Sequence, residues 1–247
     1  MPDTSGRKEI DGFLSRGVSI DLEVGRNDRR IHSFAAVRSK NGESFTFSGG
    51  KLQSALKRLD QFADGAEYIL GHNLIAFDTK HLAAADPNLR LLELPYVDTL
   101  RLNPLCFPRN PYHHLVKHYH SGDLKRAQLN DPKLDAELTL VLLRDQYQAL
   151  QELHESDPKL SLALHWLTTV EEDSLGADLL FTEVRQSSRP TLEETQTAIR
   201  QRFEGAMCHS YAEQLLAQLK ANPWPMAYAL SWLSVAGGNS VVSPWVR

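Results

Sequence analysis

Four acidic residues lie in three separated segments of this chain: Asp21 and Glu23 in GVSIDLEVG, Asp78 in LGHNLIAFDTKHL, and Asp135 in NDPKLDAELTLVLL. The first two stand at i and i+2 in a run whose apolar residues (Val18, Ile20, Leu22, Val24) read as a β-strand. Alternate strand residues share a face, so Asp21 and Glu23 point one way and Ile20, Leu22 and Val24 the other. Two carboxylates on one face repel, and a cation is the simplest compensation. Asp78 and Asp135 would add the remaining oxygens of a hard-cation site, which suits Mg²⁺ or Mn²⁺. The alternative leaves Asp21 and Glu23 on the wet face of an edge strand.

The elements that must carry these residues are legible in outline. VSIDLEV, RIHSFAAVR and SFTFSG, separated by Gly25-Arg26-Asn27-Asp28 and Lys40-Asn41-Gly42, predict a three-stranded antiparallel meander. Leu52, Leu56, Leu59 and Phe62 recur at helical spacing, so a helix packs on the sheet. Tyr68–Gly71 reads as a short buried strand delivering His72-Asn73. A helix over residues 75–84 follows, with Asp78 in its first turns. A parallel strand after a crossover helix is the expected connection. Pro132 opens the helix that bears Asp135, where it needs no backbone donor.

The ordered motifs Asp21-Leu22-Glu23, His72-Asn73-Leu74-Ile75-Ala76-Phe77-Asp78 and Asp135-Ala136-Glu137 resemble the DEDD exonucleases of the ribonuclease H-like fold. Val97-Asp98-Thr99-Leu100 is similar to the strand-to-helix passage those enzymes carry between the second and third motifs, and the resemblance covers roughly residues 15 to 152. It implies an α/β fold: a ribonuclease H-like mixed sheet, three antiparallel strands plus parallel strands, flanked by helices and followed by a mainly helical accessory domain. It also implies 3′–5′ exonuclease chemistry with two ions, Mg²⁺ or Mn²⁺. Asp21 would bridge both ions, Glu23 and Asp135 would hold the one that positions the water, and Asp78 would orient the second. Asn73 and Phe77 are expected on the substrate side. One position departs from the family: the common subtype has His five residues before the last Asp, the minor subtype Tyr four before it, and here these are Asn130 and Asp131. An amide takes no proton near neutral pH. Either hydrolysis is slowed, or another group takes the proton, or the fold serves as a catalytically degenerate module that holds a nucleic-acid end or docks a helicase. A purely structural interaction domain is a third reading.

His114 and His118 have the spacing of a helical zinc pair, but no third N or S ligand follows at a recognisable spacing. The segment Tyr112–His120 reads instead as an amphipathic helix, from which His118 or His120 would be the alternative base. His72 is expected to play a structural part. Arg109, Lys117, Lys125 and Arg126, interleaved with Phe107, Tyr112 and Tyr119, offer phosphate contact and base stacking, against the plain reading of a solvated charged surface.

Net charge is −4 and pI about 6.2, so no global basic field marks a nucleic-acid binder. A metal-dependent nuclease needs less positive charge, because its cations meet part of the phosphate. The two cysteines, Cys106 and Cys208, form neither a disulfide framework nor a zinc motif and fit a reducing cytoplasm. No apolar run is long enough for a membrane span, and the N-terminus lacks a signal-peptide core.

The expected domains are 1–155, exonuclease-like, and 156–247, helical, with Thr191 capping a helix after the turn Ser187–Pro190. The segment PWPMAYALSWLSVAGGNSVVSPWVR is similar to the part that joins such an exonuclease to a RecQ-type helicase in some fusion proteins, and its end reads as a linker or truncation. That resemblance implies a helicase partner in the same polypeptide or complex. The chain itself contains no G-x-x-x-x-G-K-[ST]. The expected substrate is nucleic acid, single strands or 3′ ends, with DNA favoured.

Overall fold

A computed structural model describes residues 4–110, 112–113, 115, 131–171, 175–203 and 209–236. Its contacts divide the chain into two compact units, Met1–Leu100 with His114–Asp145, and Arg101–His113 with Gln146–Arg247. The helix Pro132–Ser156 belongs to both units, which divide within it between Asp145 and Gln146.

The first unit is built on a five-stranded sheet. In chain order its strands are β1 (Gly17–Val24), β2 (Ile31–Val37), β3 (Ser44–Phe47), β4 (Tyr68–Gly71) and β5 (Tyr96–Asp98). They lie side by side as β3-β2-β1-β4-β5. The β1-β2 and β2-β3 pairs are antiparallel, as the meander predicts, while β4 runs parallel to β1 and β5 parallel to β4. The carboxyl ends of β1, β4 and β5 therefore share one edge of the sheet, where ligands bind in open α/β sheets.

Side-chain alternation decides what each face of β1 does. Val18, Ile20 and Leu22 are buried in an apolar layer with Phe34, Leu56, Leu59, Ile69, Leu74 and Leu82. Helix α2 (Leu52–Phe62) supplies Ala55, Leu56 and Leu59 to that layer, as its periodicity predicts. Ser19, Asp21 and Glu23 occupy the opposite face.

An N-terminal helix, α1 (Thr4–Ser15), precedes the sheet without a sequence forecast. It is anchored by Phe13, whose ring stacks on Tyr68 at 4.8 Å and whose carbonyl accepts from the Tyr68 hydroxyl at 3.0 Å. Helix α3 runs Asp78–Ala85, so the helix expected over 75–84 begins three residues late, and Asp78 is its first residue. The residues before it are not helical: Asn73 has φ +69° and Phe77, just ahead of Asp78, has φ −126° and ψ −71°.

The second unit contains the helices α6 (Pro158–Leu167), α7 (Leu175–Arg185), α8 (Leu192–Phe203), α9 (His209–Ala217) and α10 (Pro223–Ala236). Helix α4 (Thr99–Cys106) and helix α5 (Pro132–Ser156) each contribute to both units. Helix α6 touches α7, α8 and α10 and buries Leu160, Ala163, Leu164, Trp166 and Leu167, so it is the central helix of this unit. Asp157 caps it, accepting from Leu160 N at 3.0 Å. Thr191 and Glu194 form a reciprocal capping box at α8: Glu194 N donates to Thr191 Oγ1 at 3.2 Å and Thr191 N donates to Glu194 Oε2 at 2.7 Å. Trp166 and Trp224 are buried, whereas Trp232 is half exposed. No helix among the described residues is long and apolar enough to cross a membrane.

Candidate metal centre

Two backbone features aim the carboxylates. The ladder between β1 and β4 ends at Ser19 opposite Leu70, so beyond Ser19 that edge of β1 is open. Asp78 fills the opening: its Oδ1 accepts from Leu22 N at 3.1 Å, between Asp21 and Glu23 in sequence. Gly71, at the end of β4, permits the close approach, since a Cβ there would lie 2.9 Å from Leu74 Cβ and 3.2 Å from Ile20 O. From the other direction, Ser19 Oγ donates to Ala136 O at 2.8 Å and ties the start of α5 to β1. Asp131 caps that helix, accepting from Lys133 N at 3.0 Å, and Pro132 is its first residue. Asp135 then faces β1.

The result is a cluster in which Asp21, Glu23 and Asp135 each offer a carboxylate oxygen within 4.8 Å of the others. It is the one such group among the described residues. Asp135 is buried, Asp21 and Glu23 half-buried, and Asp78 is only 2% exposed. Burial, then the Asp21 carboxylate, holds the Asp78 carboxyl well above the usual range, against the Leu22 N–H that favours its ionised form. Like charges gathered where they are partly or wholly buried favour a counter-cation. The donors are all carboxylate oxygens, the ligands of a hard cation and not the N and S ligands of structural zinc.

Asp98 was not singled out as a site residue, yet its side chain shapes the site. Buried at the end of β5, it accepts from Asn73 N at 3.0 Å, Ile75 N at 3.1 Å and Leu100 N at 3.0 Å. Its carboxylate thus holds the loop that delivers Asp78, and Asn73 takes the left-handed conformation this requires, φ +69°. Thr99 Oγ1 donates to Gly71 O at 3.2 Å, so its lone pair takes the Nδ1 hydrogen of His72 at 2.9 Å. His72 therefore has the structural part expected of it. The signal for Asp98 was an acid at a strand end ahead of a helix. Ser19 had none beyond sharing the face of Asp21.

Of the expected substrate residues, Asn73 and Phe77 both lie in the segment that leads into Asp78. The Phe77 ring is 36% exposed and meets His81 edge-on at 4.7 Å. Arg109 and Tyr112 belong to the second unit, where an Arg109 guanidinium nitrogen donates to Val235 O at 2.6 Å and Tyr112 is exposed. Tyr112, His113 and Leu115 are not helical. Lys117, Lys125, Arg126 and Asn130, together with His114, His118 and His120, lie outside the described residues. The chain matches no protein-family model, no curated protein and no solved structure.

Proposed function

We propose that this protein is a metal-dependent 3′–5′ exonuclease that hydrolyses phosphodiester bonds in DNA. The observation that carries the reading is the convergence of Asp21, Glu23 and Asp135 within 4.8 Å, with Asp78 seated beside Asp21. Residues 114 positions apart in the chain meet on one acidic face, and ionisable groups brought together in this way mark functional sites. The strand order, with parallel carboxyl ends at one edge, supports the ribonuclease H-like reading. Strand polarity, DNA preference and a RecQ-type helicase partner come from the motif resemblance.

Asp21, Glu23 and Asp135 would hold one hard cation and Asp21 with Asp78 a second, which when bound would supply an acidified water and charge neutralisation at the leaving oxygen. The chain's own residues do the positioning. Asp98 fixes the loop before Asp78, Ser19 fixes the approach of Asp135, and the Phe77 ring offers a face on which a terminal base stacks. Asn130 favours a second reading, an exonuclease fold that binds a strand end without cutting, because an amide cannot accept the proton of the attacking water.

Incubating the purified chain with end-labelled single strands in Mg²⁺, Mn²⁺ or EDTA separates the two. Stepwise shortening from the 3′ end in either metal and none in EDTA is the expected result, with Mn²⁺ faster than Mg²⁺ and the rate rising with pH in the absence of a built-in base. Tight binding with no shortening in either metal selects the binding module.

A further inference from the structure

Between β1 and β2 the chain turns through Gly25-Arg26-Asn27-Asp28-Arg29-Arg30, and residues 26–30 are all exposed. The turn carries three arginines against one aspartate. That aspartate is spent inside the turn: Asp28 Oδ1 accepts from Arg30 N at 3.1 Å, and Oδ2 lies 3.0 Å from His32 Nε2. Gly25 makes room for this fold-back, since a Cβ there would lie 2.2 Å from Asp28 Oδ1 and 2.7 Å from His32 Nε2. Gly25 N to Arg30 O and Arg29 N to Gly25 O, both 2.9 Å, close the backbone. Among the described residues, none of the three guanidinium groups takes part in an ion pair.

Arg29 has φ +55°, the left-handed region that Gly or Asn fills at little cost and any other residue at about 1 kcal/mol. A long cation therefore stands where the backbone alone would select a small residue. The turn also follows directly from the carboxylates. Glu23 pairs with Ser33, and a register shift between Glu23 and Val24 re-aims the strand end. Arg26 is three residues past Glu23, so their Cα atoms are separated by at most about 11 Å, the span of roughly three nucleotides on a helical strand. In a chain of net charge −4, whose site carries four carboxylates, a polyanion needs a local cationic hold at this distance.

We propose that, given the exonuclease reading, the tip of the β1–β2 turn is a phosphate-binding element, with Arg26, Arg29 and Arg30 gripping the backbone of the strand that adjoins the carboxylate site. Guanidinium forks bind phosphate oxygens in bidentate fashion and read no base, so the tip holds DNA of any sequence.

The test measures binding of a fluorescein-labelled oligothymidylate by anisotropy, in Ca²⁺, across a potassium chloride series. It compares the wild type with the combined variant Arg26→Ser, Arg29→Asn, Arg30→Ser and with the triple lysine replacement. Each single-strand phosphate contact contributes about 0.7 to the slope of log affinity against log salt, so the serine–asparagine variant should lose about 2 from that slope and bind on the order of tenfold more weakly. The lysine variant should keep the slope, which separates charge from misfolding. If wild type and serine–asparagine variant bind with equal slopes while the wild type shortens end-labelled strands in Mg²⁺, the tip proposal is overturned and the exonuclease reading stands. A wild type that neither binds nor shortens the strand overturns both.

Discussion

The two units bury polar side chains in opposite ways. In the first, the buried Asp135 meets Asp21 and Glu23, with Asp78 beside Asp21, so carboxylates gather with carboxylates at the sheet edge. In the second, the fully buried His165 on α6 stands between complementary partners. Its Nε2 lies 2.8 Å from Asp178 Oδ1, and an Arg185 guanidinium nitrogen lies 2.6 Å from its Nδ1. Arginine only donates, so Nδ1 accepts and the hydrogen sits on Nε2, directed at Asp178. Phe181 stacks on the same ring at 5.4 Å. A cluster of complementary partners serves the fold, whereas gathered like charges are a candidate functional site.

The sharpest way to break this contrast is to delete one member of the repelling set. Asp21→Ala should reduce strand shortening in Mg²⁺ on the order of 10²–10³-fold or more, the scale of losing a central electrostatic group. The described tryptophans, Trp166, Trp224 and Trp232, belong to the second unit, so their fluorescence follows that unit. Its unfolding midpoint should not move in Asp21→Ala. A wild-type rate in this variant would end the exonuclease assignment.

Acid should act on the second unit. Burial first, offset by the hydrogen bond to Asp178 and reinforced by the Arg185 charge, pushes His165 down to about 4 from its ordinary 6.5. The folded state therefore refuses a proton that the unfolded chain accepts between those values. Stability should be full above pH 6.5 and fall progressively as the pH drops towards 4, by up to about 3 kcal/mol. Urea titrations followed by tryptophan fluorescence should show that fall, and His165→Gln should flatten it. An unchanged pH profile in His165→Gln would place the acid sensitivity elsewhere.

The smallest effects carry opposite signs. Asp178→Ala removes the acceptor of a buried N–H and should cost about 1–3 kcal/mol. Asp21→Asn relieves like-charge repulsion and should raise stability in EDTA by a few tenths to about 1 kcal/mol, a gain that Mg²⁺ erases by stabilising the wild type alone. Calorimetry in EDTA and in Mg²⁺ reads both. Destabilisation by Asp21→Asn in EDTA would show that the acidic cluster is built for the fold after all.

Spacing over a few residues determined much of this protein without help from the fold. Period-two alternation set Asp21 and Glu23 against Ile20 and Leu22, helical periodicity set α2, and Thr191 with Glu194 or Asp131 with Pro132 set helix starts, because each depends on neighbours in sequence. The acidic trio was legible as motifs, but not as a cluster. Its closure needs Ser19 Oγ on Ala136 O, a bond between residues 117 positions apart, and a β1–β4 ladder that stops in time to admit Asp78. Tertiary packing also overrode local preference. Helix α1 forms despite Gly6 and Gly12, with Phe13 packed on Tyr68, and the loop before α3 is held by the Asp98 carboxylate at Asn73 N and Ile75 N, with Phe77 still outside helical geometry. The neutral state of His165 likewise depends on Asp178 and Arg185, partners that no local pattern designates. Local pattern encodes which face a side chain takes, while register and long-range hydrogen bonds decide what it meets there.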